Sequence, residues 1–295
     1  MSFIDQHRAR FGVEPICQTL QVAPSTYYAA VSRPPSPRRL RDDELKVDIT
    51  RVHKANFDVY GTEKLWHQLN REGIEVGRDR VARLMAELEL VGAVRGKTWR
   101  TTNPSCVGER PADLVERNFT ATAPNRLWVA DLTYVSTWSG FAYVAFVVDV
   151  FSRYIVGWRV STSLRAELAL DALEMAIWTR QTADLGGLVH HSDRGVQYLS
   201  IRYTERLAVE GAVTSVGSKG DSYDNALAET INGLYKTELI RRRGPWRGVE
   251  QVELATAEWV DWWNQRRLHS AAGHTSPAEF EAAHYDATNA VVPAA

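Results

Sequence analysis

Two aspartates and a glutamate are the residues of this sequence best suited to chemistry: Asp131 in WVADLTYV, Asp193 in LVHHSDRGVQY and Glu229 in DNALAETINGLYKTEL. Asp131 stands in a run whose other members belong in a core. Aspartate is depleted in strands, and a lone buried carboxylate is costly unless paired or bound to a metal, so Asp131 asks for partners. Asp193 follows Leu188 and Val189, where an apolar run gives way to His190, His191, Ser192, Asp193, Arg194 and Gly195. Taken alone, that junction reads as a solvated strand end. Glu229 lies on a polar helical stripe: at about 100° per residue, Asn225, Glu229, Asn232 and Lys236 fall within about 60° of one another. Such a stripe ordinarily faces solvent, so Glu229 gains meaning only beside the two aspartates. Leu227, Ile231 and Leu234 cluster roughly opposite and are expected to dock on a sheet.

Three hard oxygen donors without a thiolate suit Mg²⁺ or Mn²⁺, which prefer carboxylates and keep waters for a substrate's phosphates. Two such ions about 3.5–4 Å apart can activate an attacking hydroxyl and stabilise a leaving oxygen in an in-line phosphoryl displacement. Lys236, two turns beyond Glu229, is placed to neutralise phosphate charge. His190 and His191 offer zinc ligation as an alternative, but strand neighbours point to opposite faces and no Cys/His cluster joins them. They and Arg194 read instead as the rim of an acidic site. Asp149, four residues before Arg153, reads as a turn-fixing ion pair. SKGDS at 218–222 lacks the spacing of a phosphate-binding loop, and nothing around Ser192 forms a nucleophile elbow.

The elements that must position these acids follow from residue type. LWVADLTYVST, FAYVAFVVDVFS and YIVGWRVSTS are β-branched and aromatic runs between short polar turns, and predict a three-strand meander. RAELALDALEMAIWTRQ predicts an amphipathic helix, GLVHHSD a fourth strand, RYTERLAVEG a helix, AVTSVG a fifth strand, and SYDNALAETINGLYKTELI a long helix. This is an α/β domain with one mixed five-stranded sheet, in the order of the ribonuclease H-like fold. If strand 4 lies beside strand 1, Asp193 reaches Asp131 outside the carboxyl ends of both.

Upstream the texture is all-α. EPICQTLQVAPSTYYAAVS predicts two short helices around a turn, with Ile16, Leu20 and Val22 inward and Ser25 as the second N-cap. LKVDITRVHKAN, TEKLWHQLNREG and GRDRVARLMAELELVG predict three more helices, the second ending at Gly73. The last two suit a helix-turn-helix that carries Arg78, Arg80 and Arg83 toward DNA; a small helical bundle with a charged surface fits the pattern equally. SRPPSPR at 32–38 and TTNPSCVGERPAD at 101–113 read as linkers. The division is residues 1–37 (helix-turn-helix segment and Pro-rich linker), 38–115 (helix-turn-helix domain and linker), 116–285 (α/β core with C-terminal helices) and 286–295 (tail).

Bulk composition adds bounds only. The 295 residues are 44% hydrophobic and 24% charged, with net charge −1, which neither supports nor excludes nucleic acid. Cys17 and Cys106 are too few for a disulfide framework and fit a reducing cytosol. The apolar run Phe141–Val148 is too short to cross a bilayer, and MSFIDQHRAR lacks a signal-peptide core, so a cytoplasmic protein without membrane attachment is expected.

Thirty-five residues separate Asp193 from Glu229, and Lys236 lies seven beyond. This resembles the D,D(35)E signature of retroviral integrases and bacterial insertion-sequence transposases. WVADLTYV, VVDVFSRYIVGW, HHSDRGVQY, DNALAETINGLYKTEL and WNQRRLHSAAGHTSPAEF are similar to OrfB-type transposases of two-frame insertion sequences. YGTEKLWHQLNREGIEVGRDRVARLMAELELVG resembles the helix-turn-helix segment before their core, and VAPSTYYAA a motif near their N-termini.

The resemblance implies a DDE transposase in which Asp131, Asp193 and Glu229 hold two divalent ions, free 3′-hydroxyls at element ends and join them to target DNA. It also implies that Lys236 contacts DNA near the terminal base pairs and that Asn225 supports the acids from behind; His191, two residues before Asp193, is read as a further support. The implied partners are double-stranded terminal repeats and target DNA, a second copy on DNA, and an OrfA protein or fusion. Cys17 and Cys106 cannot supply the His/Cys zinc module of retroviral integrases, so no zinc is expected. Trp263 before Asn264 and Ala272 depart from the family's commoner Tyr and Leu. Two other functions remain open on sequence: a nuclease of the same fold that never joins strands, and a non-catalytic helix-turn-helix regulator.

Overall fold

The computed structural model describes residues 1–94, 120–193, 197–198, 200–216 and 226–291. Residues 1–49 and 50–295 form separate compact units. The first holds α1 (Ser2–Phe11), α2 (Val13–Thr19) and α3 (Pro24–Ser32). Ile4, Ile16, Cys17 and Tyr27 make its core, and the Tyr27 hydroxyl donates to Asp5 Oδ1 at 2.6 Å. Two expectations are corrected here. Leu20 is exposed and Val22 only half-buried, because α2 stops at Thr19 and the chain turns away. Helix α3 is entered at Pro24, whose fixed φ suits the first helical position, so Ala23 and not Ser25 is the N-cap. Helix α4 (Pro37–Ala55) leads into the second unit.

That unit opens with α5 (Thr62–Arg71) and α6 (Arg78–Glu87). Gly73 adopts φ +79° at the end of α5, a backbone that favours glycine, and the Trp66 indole donates to Val76 O to set the turn between the helices.

The sheet consists of β1 (Leu127–Thr137), β2 (Gly140–Asp149), β3 (Ile155–Ser161), β4 (Val189–Ser192) and β5 (Val213–Val216), in the order β3-β2-β1-β4-β5. β1, β2 and β3 are antiparallel neighbours; β4 runs parallel to both β1 and β5. This is the mixed five-stranded sheet expected. On one face Trp128, Ala130, Ala145 and Val147 pack with α7 (Ala166–Thr179) and α8 (Ile201–Val209). Gly157 permits this approach, since a Cβ there would meet Ala172 O at 2.1 Å.

The other face is covered by α9 (Ala226–Tyr235), which continues as a π-helical turn (Lys236–Ile240) and α10 (Arg241–Arg243), and by α11 (Val249–Gln265). Phe146 of β2 lies edge-on to Tyr235, and Tyr235 edge-on to Trp259. Both departures near the C-terminus, Trp263 and Ala272, are buried. Trp263 donates to Arg153 O at 2.8 Å, and Asn264 caps both Ile155 N and Ile155 O, pinning β3. Asp149 is fully buried and accepts from the N–H groups of Asn125 and Phe151. It fixes the turn through these backbone donors and not through the Arg153 guanidinium. Helix α12 (Pro277–Val291) runs through the segment read as the start of a tail, anchored by Glu281, which accepts from Ser152 and Arg180.

Residues 56–60 dock on α11. Trp262 donates to Asn56 Oδ1, and Tyr60 donates to Arg266 O while accepting from Leu268 N. At the centre, Arg267 and Glu238 form a paired salt bridge at 2.5 and 3.0 Å, each side chain 5% exposed, with the guanidinium 4.4 Å from the Trp263 ring. Nearby, burial and the Arg267 charge push the Lys64 ammonium down to about 7. Among the described residues, no helix is long and apolar enough to cross a membrane.

Candidate functional site

The register of β1 and β4 sets the geometry of the acids. Ala130 is paired with Ser192, so Asp131 and Asp193 are the next residues along two parallel strands. Alternation puts them on the same face, at a strand spacing of about 4.8 Å. β4 ends at Ser192, whereas β1 runs on to Thr137, and this leaves the acids at the mouth of a step in the sheet.

Asp131 is held on both oxygens. Oδ1 accepts from Leu132 N at 2.8 Å and Oδ2 from Asn232 Nδ2 at 2.9 Å. Burial, then the charge of Asp193, and to a lesser degree that of Glu229, push its carboxyl up to about 7 against the pull of these two donors. Asp193 and Glu229 therefore both lie within electrostatic reach of Asp131. Asp193 and Glu229 are exposed. They are not drawn into a tight cluster. Among the described residues the one group of three His, Cys, Asp or Glu donors mutually within 4.8 Å is Glu63, His67 and His274, elsewhere in the fold.

The contact from Asn232 seats α9 over the strand ends. Glu229 lies three residues before it and Lys236 four after, so both share its face of the helix. The Lys236 ammonium sits 4.7 Å from the centroid of the Tyr134 ring. Burial and Arg241 lower its pKa, and the charge of Asp131 partly restores it. The expected docking face needs correction: Ala228, Ile231, Asn232 and Tyr235 are buried, while Leu227 and Leu234 are only half-buried. The polar stripe turns toward the sheet because Asp131 gives Asn232 a partner there.

The two histidines are not on the rim. Both are buried, on opposite faces as strand alternation requires. His190 Nε2 meets the Tyr203 hydroxyl at 3.0 Å, and burial pushes its imidazole down to about 3, so it stays neutral. His191 Nδ1 meets Ser215 Oγ at 2.9 Å, two residues below Asp193 on the face of the acids. Tyr198, which sequence reading passed over, buries a hydroxyl with no hydrogen-bond partner among the described residues. Its pKa is raised by burial and also by Tyr203, Asp131 and Asp193. Asn232 Oδ1 is likewise buried and unpartnered, a sign that sequence could give only through its place on the stripe of Glu229 and Lys236.

Of the arginines on α6, Arg78 is exposed beside Asp79, Arg80 is half-buried, and Arg83 pairs with Glu87 one turn on. Asn225, Arg194 and Cys106 lie outside the described residues.

The sequence matches an integrase core domain family over residues 121–222, a second integrase core domain family over residues 210–277, and an HTH-like domain family over residues 40–98. A Mycobacterium tuberculosis protein for insertion sequence element IS986/IS6110 is 61% identical over 269 residues, covering 90% of this chain and 97% of its own length. The transposase for insertion sequence element IS629 of Shigella sonnei is 53% identical over 290 residues, 97% of this chain and 96% of its own. Among solved structures, the HTLV-2 integrase catalytic core domain in complex with magnesium aligns with a TM-score of 0.43 at 17% identity, over 54% of this chain and 98% of that core.

Proposed function

The chain belongs to the IS3-type insertion-sequence transposases with an integrase core domain, and on that premise we propose that it cuts element ends and joins them to target DNA using Asp131, Asp193 and Glu229. The observation that carries this reading is the parallel register Ala130–Ser192, followed by one acid on each strand, with α9 tied to the first acid through Asn232.

The residues fit Mg²⁺ or Mn²⁺. They offer hard oxygen donors, and the like charges that raise the pKa of Asp131 are those a divalent cation would offset. Bound there, two such ions would supply Lewis-acid stabilisation of the phosphoryl transition state and an activated 3′-hydroxyl or water. The chain's own part is positioning. Leu132 N–H and Asn232 fix the rotamer of Asp131, and His191 with Ser215 supports the strand end below Asp193. Lys236 offers a cation for a phosphate beside the acids, and Tyr134 fixes its place. Arg78, Arg80 and Arg83 on α6, with Arg194, are proposed to hold DNA, and Asn225 to support the acids. Joining two element ends to one target requires two copies on DNA.

The test is a cleavage and strand-transfer assay on DNA carrying the element's own ends with Mg²⁺. Asp193→Asn and Glu229→Gln are each expected to lose both activities by about a thousandfold or more while retaining DNA binding. Variants that keep full activity would overturn the assignment. A chain that cuts but never joins would be a nuclease of the same fold.

A further inference from the structure

A second donor cluster is formed by residues other than the acids. Glu63 and His67 are four residues apart on α5 and so share one face. His274 comes to them from the turn before α12. That turn is well held: Gly273 and His274 both take left-handed φ (65° and 61°), His274 N donates to His269 O, and Arg71 donates to His274 O and to Glu279. The two imidazoles stack with centroids 3.8 Å apart and planes 19° from parallel. His274 Nε2 is 3.4 Å from Glu63 Oε1, and one donor atom from each of the three residues lies within 4.8 Å of the others. The Nδ1 of His274 is buried and has no hydrogen-bond partner among the described residues.

We propose that Glu63, His67 and His274 bind a single Zn²⁺-class ion that clasps α5 of the helix-turn-helix region to the segment leading into α12. Two imidazoles and one carboxylate form a borderline donor set that selects zinc, cobalt or nickel over magnesium, and three protein ligands leave one position for water. Metal–nitrogen bonds of about 2.0–2.1 Å put tetrahedral donors ~3.3 Å apart, so closure from the present spacing is on the order of 1 Å. Convergence of both imidazoles on one ion requires the ring stack to open, which rotation about the Cβ–Cγ bonds would supply. The expectation of no zinc rests on the two cysteines; this donor set contains none, and His274 lies more than two hundred residues beyond Glu63 and His67 in sequence.

The test uses the full chain carrying Asp193→Asn, which separates this ion from any held by the acids. Co²⁺ is titrated while its visible absorption is followed. One equivalent is expected to bind with an imidazole-type spectrum, to be displaced by Zn²⁺, and to raise Tm. His67→Phe and His274→Phe keep a stackable ring and remove the donor, and each is expected to abolish the absorption. Glu63→Gln, at an exposed helical position, is expected to weaken binding tenfold or more. No absorption in the parent chain, absorption that survives both Phe variants, or unchanged affinity in Glu63→Gln would each overturn the proposal.

Discussion

Two charged regions of the second unit differ in how their charges are answered. Around Arg267 the opposite charges meet. Glu238 takes the bonds from Nε and Nη2, His269 meets Nη1, tryptophan rings flank the guanidinium, and both charged side chains are buried. Around Asp131 the charges are alike, and among the described residues the donors to its carboxylate are neutral amides. A buried pair that is already satisfied holds elements together and has little left to bind. Like charges held together by a sheet and a helix are an unfinished interaction, and a cation completes it. The first arrangement is built for stability. On the proposed function, the second gives some stability away for binding.

The comparison is broken most strongly on the paired side. Arg267→Met leaves Glu238 buried and alone, and is expected to cost about 3–5 kcal/mol in urea unfolding. Adding Glu238→Leu should recover most of that loss. An equally small effect from single and double variants would show that the pair is not the structural charge it looks like.

Asp131→Asn should act in the opposite direction. The folded-state pKa of Asp131 is raised above its unfolded value, so its favourable contribution is present at low pH and lost as pH rises from about 4 through about 7. In chelator at pH 8 the variant should therefore be roughly 1–3 kcal/mol more stable than wild type, and no more stable at pH 4. Asn232 can turn its amide so that the now-unpartnered Oδ1 accepts from the new side chain. Strand transfer should be lost, and calorimetric scans at the two pH values check the stability claim. The smallest expected effect sharpens the same point. Asn232→Ala removes a donor that favours ionised Asp131, so the acidic limb of the rate–pH profile should move up by about half a unit to one unit, with stability little changed.

Much of this was legible in the sequence where local pattern and burial agree. The β-branched runs gave the strands, and an aspartate inside one of them, Asp131, asked for the partners that the register supplies. The stripe on α9 was legible as a stripe but not as to which way it faced. Amphipathicity assigns a polar face to solvent, and only a polar partner on the sheet reverses that. The ends of α2 and α3 were missed for a local reason: Pro24 starts a helix more firmly than Ser25 caps one. The histidines were placed on opposite faces correctly, yet their burial depended on Tyr203 and Ser215, which no spacing rule brings to them. The docking of residues 56–60 on α11 joins groups about two hundred positions apart. No periodicity encodes a meeting of that kind.

The π-helical turn at Lys236–Ile240 joins the two regions, and its effect is one of phase. Inserting one residue into an α-helix rotates everything beyond it by about 100°. Up to the first residue of the turn, the helix carries Glu229, Asn232 and Lys236 on one face, with Asn232 bonded to Asp131. Within it, Thr237, Glu238 and Leu239 are all buried, a run of inward residues that an unbroken amphipathic helix would not present. One continuous rod thus offers a carboxylate to the open cleft and, nine residues later, another to a sealed salt bridge. The wide turn works as an angular offset between a tool and its handle, and it sets how squarely Glu229 can be presented.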